Sequence, residues 1–65
     1  MYCKMVGVFG NGAHLWSEKI KGEWIYTITL GGAVIAKKTE RKIDDLLNFT
    51  YAYERKEKTD FYMCR

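Results

Sequence analysis

The sequence predicts an α+β fold, in which a four-stranded antiparallel meander precedes one helix and a short C-terminal strand. Turn signals that contain glycine divide residues 2–38 into segments rich in β-branched and aromatic side chains. From Thr39 onward, the apolar residues recur at i, i+3 and i+4, which is the spacing of a helix. Proline is absent from the chain, so continuous hydrogen-bonded structure is expected. Together these observations predict one small domain over residues 1–65.

The meander is predicted from three turns. Asn11-Gly12 is typical of a two-residue type I′ turn, because both residues tolerate a positive φ. Gly31-Gly32 permits the same kind of turn, whereas residues 20–22 suit a three-residue loop with its glycine in the left-handed conformation. The strands that these turns connect are expected at about 2–9, 14–19, 23–30 and 33–38.

These turns also determine which side chains share a face of the sheet. The three-residue loop sets Trp16 opposite Tyr26, and the Asn-Gly turn sets Gly7 opposite Trp16. The face that collects most of the aromatic residues is expected to carry Cys3, Met5, Phe9, Trp16, Trp24, Tyr26, Ile28 and Ile35. The second face is expected to carry Val6, Val8, Leu15, Ile25 and Val34.

A helix is expected over about 40–57, with Thr39 as its N-cap. Acidic residues near its start and basic residues near its end suit the helix dipole. Its apolar stripe consists of Ile43, Leu46, Leu47, Thr50 and Tyr53, with Phe49 and Tyr51 at the margins. We expect this stripe to cover the aromatic face of the sheet. Residues 60–64 alternate weakly, which predicts a short edge strand.

Size and charge limit the functions to consider. The chain has 65 residues and a net charge of +3, from 11 basic and 8 acidic residues. Met1 is not followed by the apolar segment of a signal peptide, and no uncharged run is long enough to span a bilayer. We therefore expect a cytoplasmic protein that does not enter a membrane. Cys3 and Cys64 are expected to be reduced there, although they could pair if the terminal strands meet.

The residue types of common catalytic and metal sites are sparse. His14 is the only histidine, and it is expected at the rim of a hairpin, far from Cys3. A zinc site needs four ligands, commonly in close pairs. The glycines between Gly7 and Gly12 match neither a P-loop nor a dinucleotide fingerprint. We therefore expect a protein that is not an enzyme and that needs no metal or cofactor.

The second face is the strongest functional signal, because one helix covers only one face of a sheet. An uncovered apolar face is rare in monomers and marks an interaction site. We expect a small protein-interaction module, an inhibitor or regulator of the kind encoded by phages or other mobile elements, that binds a larger host protein. Lysines at the rim would steer an acidic target. The predicted protein-binding residues are Val6, Val8, Leu15, Ile25, Val34, Lys4, Lys19, Phe49 and Tyr51.

Three alternatives remain open from the sequence. Lysines beside aromatic residues suit a nucleic-acid backbone and its bases. The residues for that function are Lys19, Lys21, Lys37, Lys38 and Tyr2. The second face could instead join copies of the chain in a structural homo-oligomer. Finally, the C-terminal segment with Phe61 and Met63 could fold across that face.

Overall fold

The computed structural model describes residues 2–40 and 45–64, with the side chains of 4–40 and 46–64. Within these residues, the strands are β1 (Tyr2–Phe9), β2 (His14–Ile20), β3 (Glu23–Leu30), β4 (Ala33–Glu40) and β5 (Phe61–Met63). A helix, α1, spans Asp45–Glu57 and lies between β4 and β5 in the chain. The predicted α+β class, the four-stranded meander and the terminal strand are confirmed.

The described strands form one antiparallel sheet in the order β4-β3-β2-β1-β5. β5 pairs with β1, from Gly7 opposite Met63 to Phe9 opposite Phe61. The C-terminal segment therefore extends the sheet at its edge and does not fold across a face. Gly7 permits this pairing, because a Cβ at its position would meet the Tyr62 carbonyl and the Phe61 ring.

The first turn of the meander is longer than the sequence predicted. The Gly12 N–H donates to the Phe9 carbonyl at 2.9 Å, and the Phe9 N–H donates to the Ala13 carbonyl at 2.8 Å. Within residues 10–12, positive φ is confined to Gly12, at 96°. This is a three-residue loop that ends in a left-handed glycine, so the expected type I′ turn at Asn11-Gly12 was wrong.

The second turn is shorter than predicted, and the third is as expected. Lys21 and Gly22 have φ values of 50° and 80°, the left-handed pair typical of a two-residue type I′ turn. Ile20 consequently pairs with Glu23. At Gly31-Gly32, φ values of 61° and 85° confirm the predicted two-residue turn.

The second turn decides which face each β2 side chain occupies. Trp16 pairs with Thr27 rather than with Tyr26, and Leu15 pairs with Ile28. Side chains alternate between the two faces, so a register shift of one residue moves every β2 side chain to the opposite face. The predicted face was therefore wrong for Trp16, which lies on the side away from the helix, and for Leu15, which lies beneath it.

A bulge in β1 changes the faces there as well. The register shifts between Met5 and Gly7, so that Met5 pairs with Trp16 and Gly7 pairs with Leu15. Val6 is the extra residue, and it packs against the core beneath the helix. The predicted places of Met5 and Val6 are therefore exchanged.

The core lies between the sheet and α1. Tyr53 packs on Phe9 with ring centroids 4.5 Å apart, and Phe49 stacks on Tyr26 at 6.4 Å. The largest fully buried side chains are Tyr26, Phe9, Leu15 and Ile28. The Asn11 side-chain amide donates to the Tyr53 hydroxyl at 3.1 Å, which links the first turn to the helix.

β4 is longer than predicted, and α1 buries a different stripe. β4 continues through Thr39 and Glu40 because β3 still pairs with them, so Thr39 is not an N-cap. Leu47 was expected in the stripe but is 53% exposed, whereas Phe49 is half-buried against the core. Ile43 was also expected there and lies outside the described residues.

The end of α1 is tied to β5. Lys58 has a φ of 51°, and the Thr59 N–H donates to the Glu54 carbonyl at 3.1 Å, which is the bond of a Schellman cap. Glu54 also accepts a hydrogen bond through its side chain, because the Phe61 N–H donates to its carboxylate at 3.0 Å. Just beyond β5, Cys64 is an exposed free thiol, so the disulfide that the sequence left open is not formed.

Candidate protein-interaction surface

α1 covers one face of the sheet, and no other element of residues 2–40 and 45–64 packs on the opposite face. We call that opposite surface the open face. Its members follow from the strand register, because paired residues point to the same side. Among the residues whose side chains the structure describes, the members are Met5, Val8, His14, Trp16, Glu18, Ile20, Glu23, Ile25, Thr27, Thr29, Val34, Lys37, Thr39 and Tyr62.

Trp16 lies at the centre of the open face. It belongs to β2, the middle strand of the sheet, and pairs with Met5 on one side and Thr27 on the other. Its indole N–H donates to the Thr29 hydroxyl at 2.9 Å. The His14 ring lies 6.3 Å from the Trp16 ring. The indole is therefore held toward β3, and its only polar group is satisfied within the chain.

Apolar side chains extend from Trp16 to the outer strands. Met5, Val8 and Ile25 are half-buried. Val34 on β4 is 62% exposed, and Tyr62 on β5 is 58% exposed. The apolar surface thus crosses the whole width of the sheet, and its most accessible side chains stand on the two edge strands.

Acidic and basic groups nearly balance on the open face. Among the described side chains, its carboxylates are Glu18 and Glu23, and its ammonium group is Lys37. The whole chain, in contrast, carries a net charge of +3. The excess positive charge therefore lies elsewhere on the molecule.

Three of the residues predicted for protein binding share the open face, namely Val8, Ile25 and Val34. Two others do not: Leu15 is fully buried beneath the helix, and Val6 packs against the same core. Their expected places on the second face were wrong because of the β2–β3 turn and the β1 bulge.

The remaining predicted protein-binding residues lie on the helix side of the molecule. Lys4 pairs with the buried Ser17, which places it on the helix-covered face. Phe49 belongs partly to the core, so it is less accessible than expected. Tyr51 is 51% exposed and lies one turn from Leu47, which is 53% exposed. These two side chains form a small apolar area on the outer side of α1.

The residues predicted for nucleic-acid binding do not share one surface. Lys37 lies on the open face, and Lys21 lies at the tip of the β2–β3 turn. Lys19 is on the helix-covered side, with its ammonium group 5.4 Å from the centre of an indole ring. Lys38 is also on that side, in a 3.0 Å ion pair with a glutamate of β4. The side chain of Tyr2 lies outside the described part of the chain.

Trp16, the centre of the open face, is the residue that sequence reasoning placed on the wrong side. The signal that could have placed it correctly is Lys21-Gly22, taken as a two-residue turn. That turn pairs Trp16 with a threonine of β3 and puts the buried Leu15 opposite Ile28.

Within residues 2–40 and 45–64, the side chains that ligate metals do not gather into a group of three or more. The same residues contain no helix with the length and apolar character needed to cross a membrane. Comparison of the chain with protein-family models, with curated proteins and with solved structures finds no match.

Proposed function

We propose that this chain is a small, non-catalytic protein-binding module that acts through its open face. The observation that carries the proposal is the hydrogen bond from the Trp16 indole to Thr29. Burying a donor without an acceptor is costly, but here the donor already has its acceptor. The centre of the open face can therefore be covered by an apolar protein surface without leaving a polar group unpaired. Tryptophan is also among the residues enriched at the energetic centres of protein interfaces.

The distribution of charge favours a protein partner over a nucleic acid. Nucleic-acid surfaces collect lysine and arginine along one track that follows the phosphates. Here Lys37 is the basic residue among the described members of the open face, and Glu18 and Glu23 share that face with it. A phosphate backbone laid across the open face would meet two carboxylates for each ammonium group.

The size of the chain supports a role by contact. A substrate pocket of about 300–1,000 Å³ needs walls on several sides, which one sheet and one helix supply poorly. We propose that the protein works by contact with protein, as an inhibitor or regulator, and not by catalysis. We place this activity in the cytoplasm, where an exposed thiol such as that of Cys64 stays reduced.

Two matched variants test the proposal. Val34→Glu and Leu47→Glu each put a carboxylate at a highly exposed apolar position, one on the open face and one on α1. With the tagged chain as bait, Val34→Glu should lower the amount of captured protein at least about tenfold, since burying an unpaired charge costs several kcal/mol. Leu47→Glu should leave it unchanged. Circular dichroism of both variants should show the helix signal of the wild-type chain.

Equal capture by the wild-type chain and Val34→Glu would contradict a role of the open face in protein binding. Nucleic-acid binding, the alternative function, is tested separately by titrating labelled DNA and RNA with the wild-type chain. Micromolar binding that falls steeply with salt would favour nucleic acid. We expect no such binding at about 50 mM salt.

A further inference from the structure

We infer that the partner bound by the open face is a second copy of this chain, so that the working unit is a homodimer of two sheets stacked face to face. This inference rests on the proposed protein-binding function and names the partner. It follows from the size of the open face, from its charge and from the position of its exposed side chains.

The open face has the dimensions of a small isologous interface. The longest strands have 8 residues and so run about 26 Å at about 3.3 Å per residue. Neighbouring strands lie about 4.8 Å apart, so the order β4-β3-β2-β1-β5 spans about 19 Å between its edges. Each copy would contribute about 500 Å², and the dimer would bury about 1,000 Å² in total, at the lower end of specific interfaces. We therefore expect a dissociation constant in the micromolar range.

The charge of the open face matches that of a second copy. Glu18, Glu23 and Lys37 leave it nearly neutral, whereas the whole chain carries +3. Two positively charged molecules that meet through nearly neutral faces keep their excess charge on the outside, where solvent and salt screen the repulsion. A strongly acidic partner would be matched better by a basic surface, and the described lysines are divided between the two sides of the sheet.

Stacked sheets also cover the side chains that one copy leaves exposed. Two sheets pack about 10 Å apart with their strands about 30° from parallel, so central residues of one copy meet central residues of the other. Trp16 would lie near the middle of this contact, and Val34 and Tyr62 on the outer strands would be covered by the partner sheet. Both helices would remain on the outside. Leu47 and Tyr51 therefore stay exposed in the dimer, which supplies control positions.

Sedimentation equilibrium of the full chain and three variants tests this inference, over about 1 to 500 μM protein. The wild type should pass from monomer to dimer within that range. Val34→Glu and Ile25→Glu should each raise the dissociation constant at least about tenfold, because each puts a carboxylate in the stacked interface. Leu47→Glu should dimerise like the wild type. Because Val34 is highly exposed, Val34→Glu is expected to fold. It therefore still tests the interface if Ile25→Glu does not fold.

A second measurement follows the centre of the interface directly. Trp24→Phe leaves Trp16 as the only tryptophan of the chain. Its fluorescence emission should shift to shorter wavelength as the concentration rises, because the partner sheet excludes water from the indole. Dilution should reverse the shift.

Two results would overturn the inference: a chain that stays monomeric throughout this range, or a dimer that Val34→Glu and Ile25→Glu leave unchanged. The first result would not by itself remove the proposed function. If the chain is monomeric and Val34→Glu still prevents capture of another protein, the open face binds a different partner. If Val34→Glu changes neither capture nor dimerisation, both the inference and the proposed function fail.

Discussion

At the scale of single residues, the bond between Trp16 and Thr29 defines the open face. It joins two neighbouring strands, β2 and β3, by a diagonal contact, since Trp16 itself pairs with Thr27. A large indole that is fixed in one orientation loses little conformational freedom when a partner covers it. The same bond therefore stabilises the free chain and preorganises the open face for binding.

Removing the hydroxyl of Thr29 should therefore destabilise the fold. Thr29→Val leaves the half-buried indole N–H without its acceptor, and we expect the free energy of unfolding to fall by about 0.5–1.5 kcal/mol. Urea denaturation measures this change. Thr27→Val, on the same strand and face, keeps the bond and should change stability by less than about 0.5 kcal/mol. Equal losses in the two variants would show that the indole bond contributes nothing.

Leu15 shows why the residues of the open face were harder to predict than the fold class. Alternation along β2 was visible in the sequence, but alternation alone does not say which of the two sets is buried. Leu15 and Trp16 are neighbours, and either could serve as a core residue. The choice depends on their partners on β3, namely Ile28 for Leu15 and Thr27 for Trp16. These partners depend in turn on the β2–β3 turn, which begins five residues after Trp16.

At the scale of elements, the β2–β3 turn is where local preference and packing compete. Lys21 has a φ of 50°, and the left-handed conformation costs a residue with a side chain about 1–2 kcal/mol. That preference is the reason why a three-residue loop, with glycine as its left-handed residue, was predicted. The shorter turn places Leu15 in the core, and burying a leucine side chain contributes about 1.5–3 kcal/mol. Burial of Leu15 offsets the cost of the left-handed residue, and no local turn rule includes that packing.

A residue that tolerates the left-handed conformation should relieve the strain at this turn. We expect Lys21→Asn to raise the free energy of unfolding by about 0.5–1 kcal/mol, which corresponds to a Tm increase of roughly 2–8 °C. Thermal denaturation measures it. Lys37→Asn, in an extended strand, serves as the control and should not raise Tm. A Tm that falls in Lys21→Asn would contradict a type I′ turn at this position.

The attachment of β5 depends on the absence of a side chain at Gly7. A methyl group there would meet the Tyr62 carbonyl and the Phe61 ring, which are parts of the strand that β1 pairs with. Gly7→Ala should therefore lower the free energy of unfolding by about 1–3 kcal/mol. It should also loosen β5 more than the rest of the sheet.

Hydrogen exchange separates these two effects. The Cys64 N–H donates to the Val6 carbonyl at 2.9 Å, so its exchange rate reports on the edge next to β1. In Gly7→Ala this amide should exchange faster by a larger factor than the amides shared by β2 and β3. Uniform acceleration across the sheet would mean that the substitution acts on global stability alone.

At the scale of the whole molecule, the sequence predicts one helix for a sheet with two faces, and the structure confirms that arrangement. The position of the C-terminal segment was left open, because weak alternation over 60–64 suits an edge strand as well as a covering strand. The structure decides it through the pairing of β5 with β1 and the Glu54 contacts at the end of α1. The pairing of β5 with β1 joins residues more than fifty positions apart, which a local pattern does not report.

The nearly neutral open face has a consequence for association in salt. An interface between apolar surfaces depends little on screening, whereas contacts with phosphates weaken steeply as salt rises. We expect the dissociation constant of the dimer to change less than about threefold between about 50 and 500 mM sodium chloride. Fluorescence of Trp16 in the Trp24→Phe variant measures it. A change of a hundredfold or more would point to contacts between charges.

The most direct test of the open face as an association surface is a nuclear magnetic resonance dilution series on the wild-type chain. Concentration-dependent shifts should map to Val8, Ile25, Val34 and the Trp16 indole, while Leu47 and Tyr51 on the outer side of α1 keep their shifts. That pattern is expected if two copies of the chain stack through the open face. Shifts confined to α1 or to the β4 edge, or no shift at any accessible concentration, would contradict self-association through the open face.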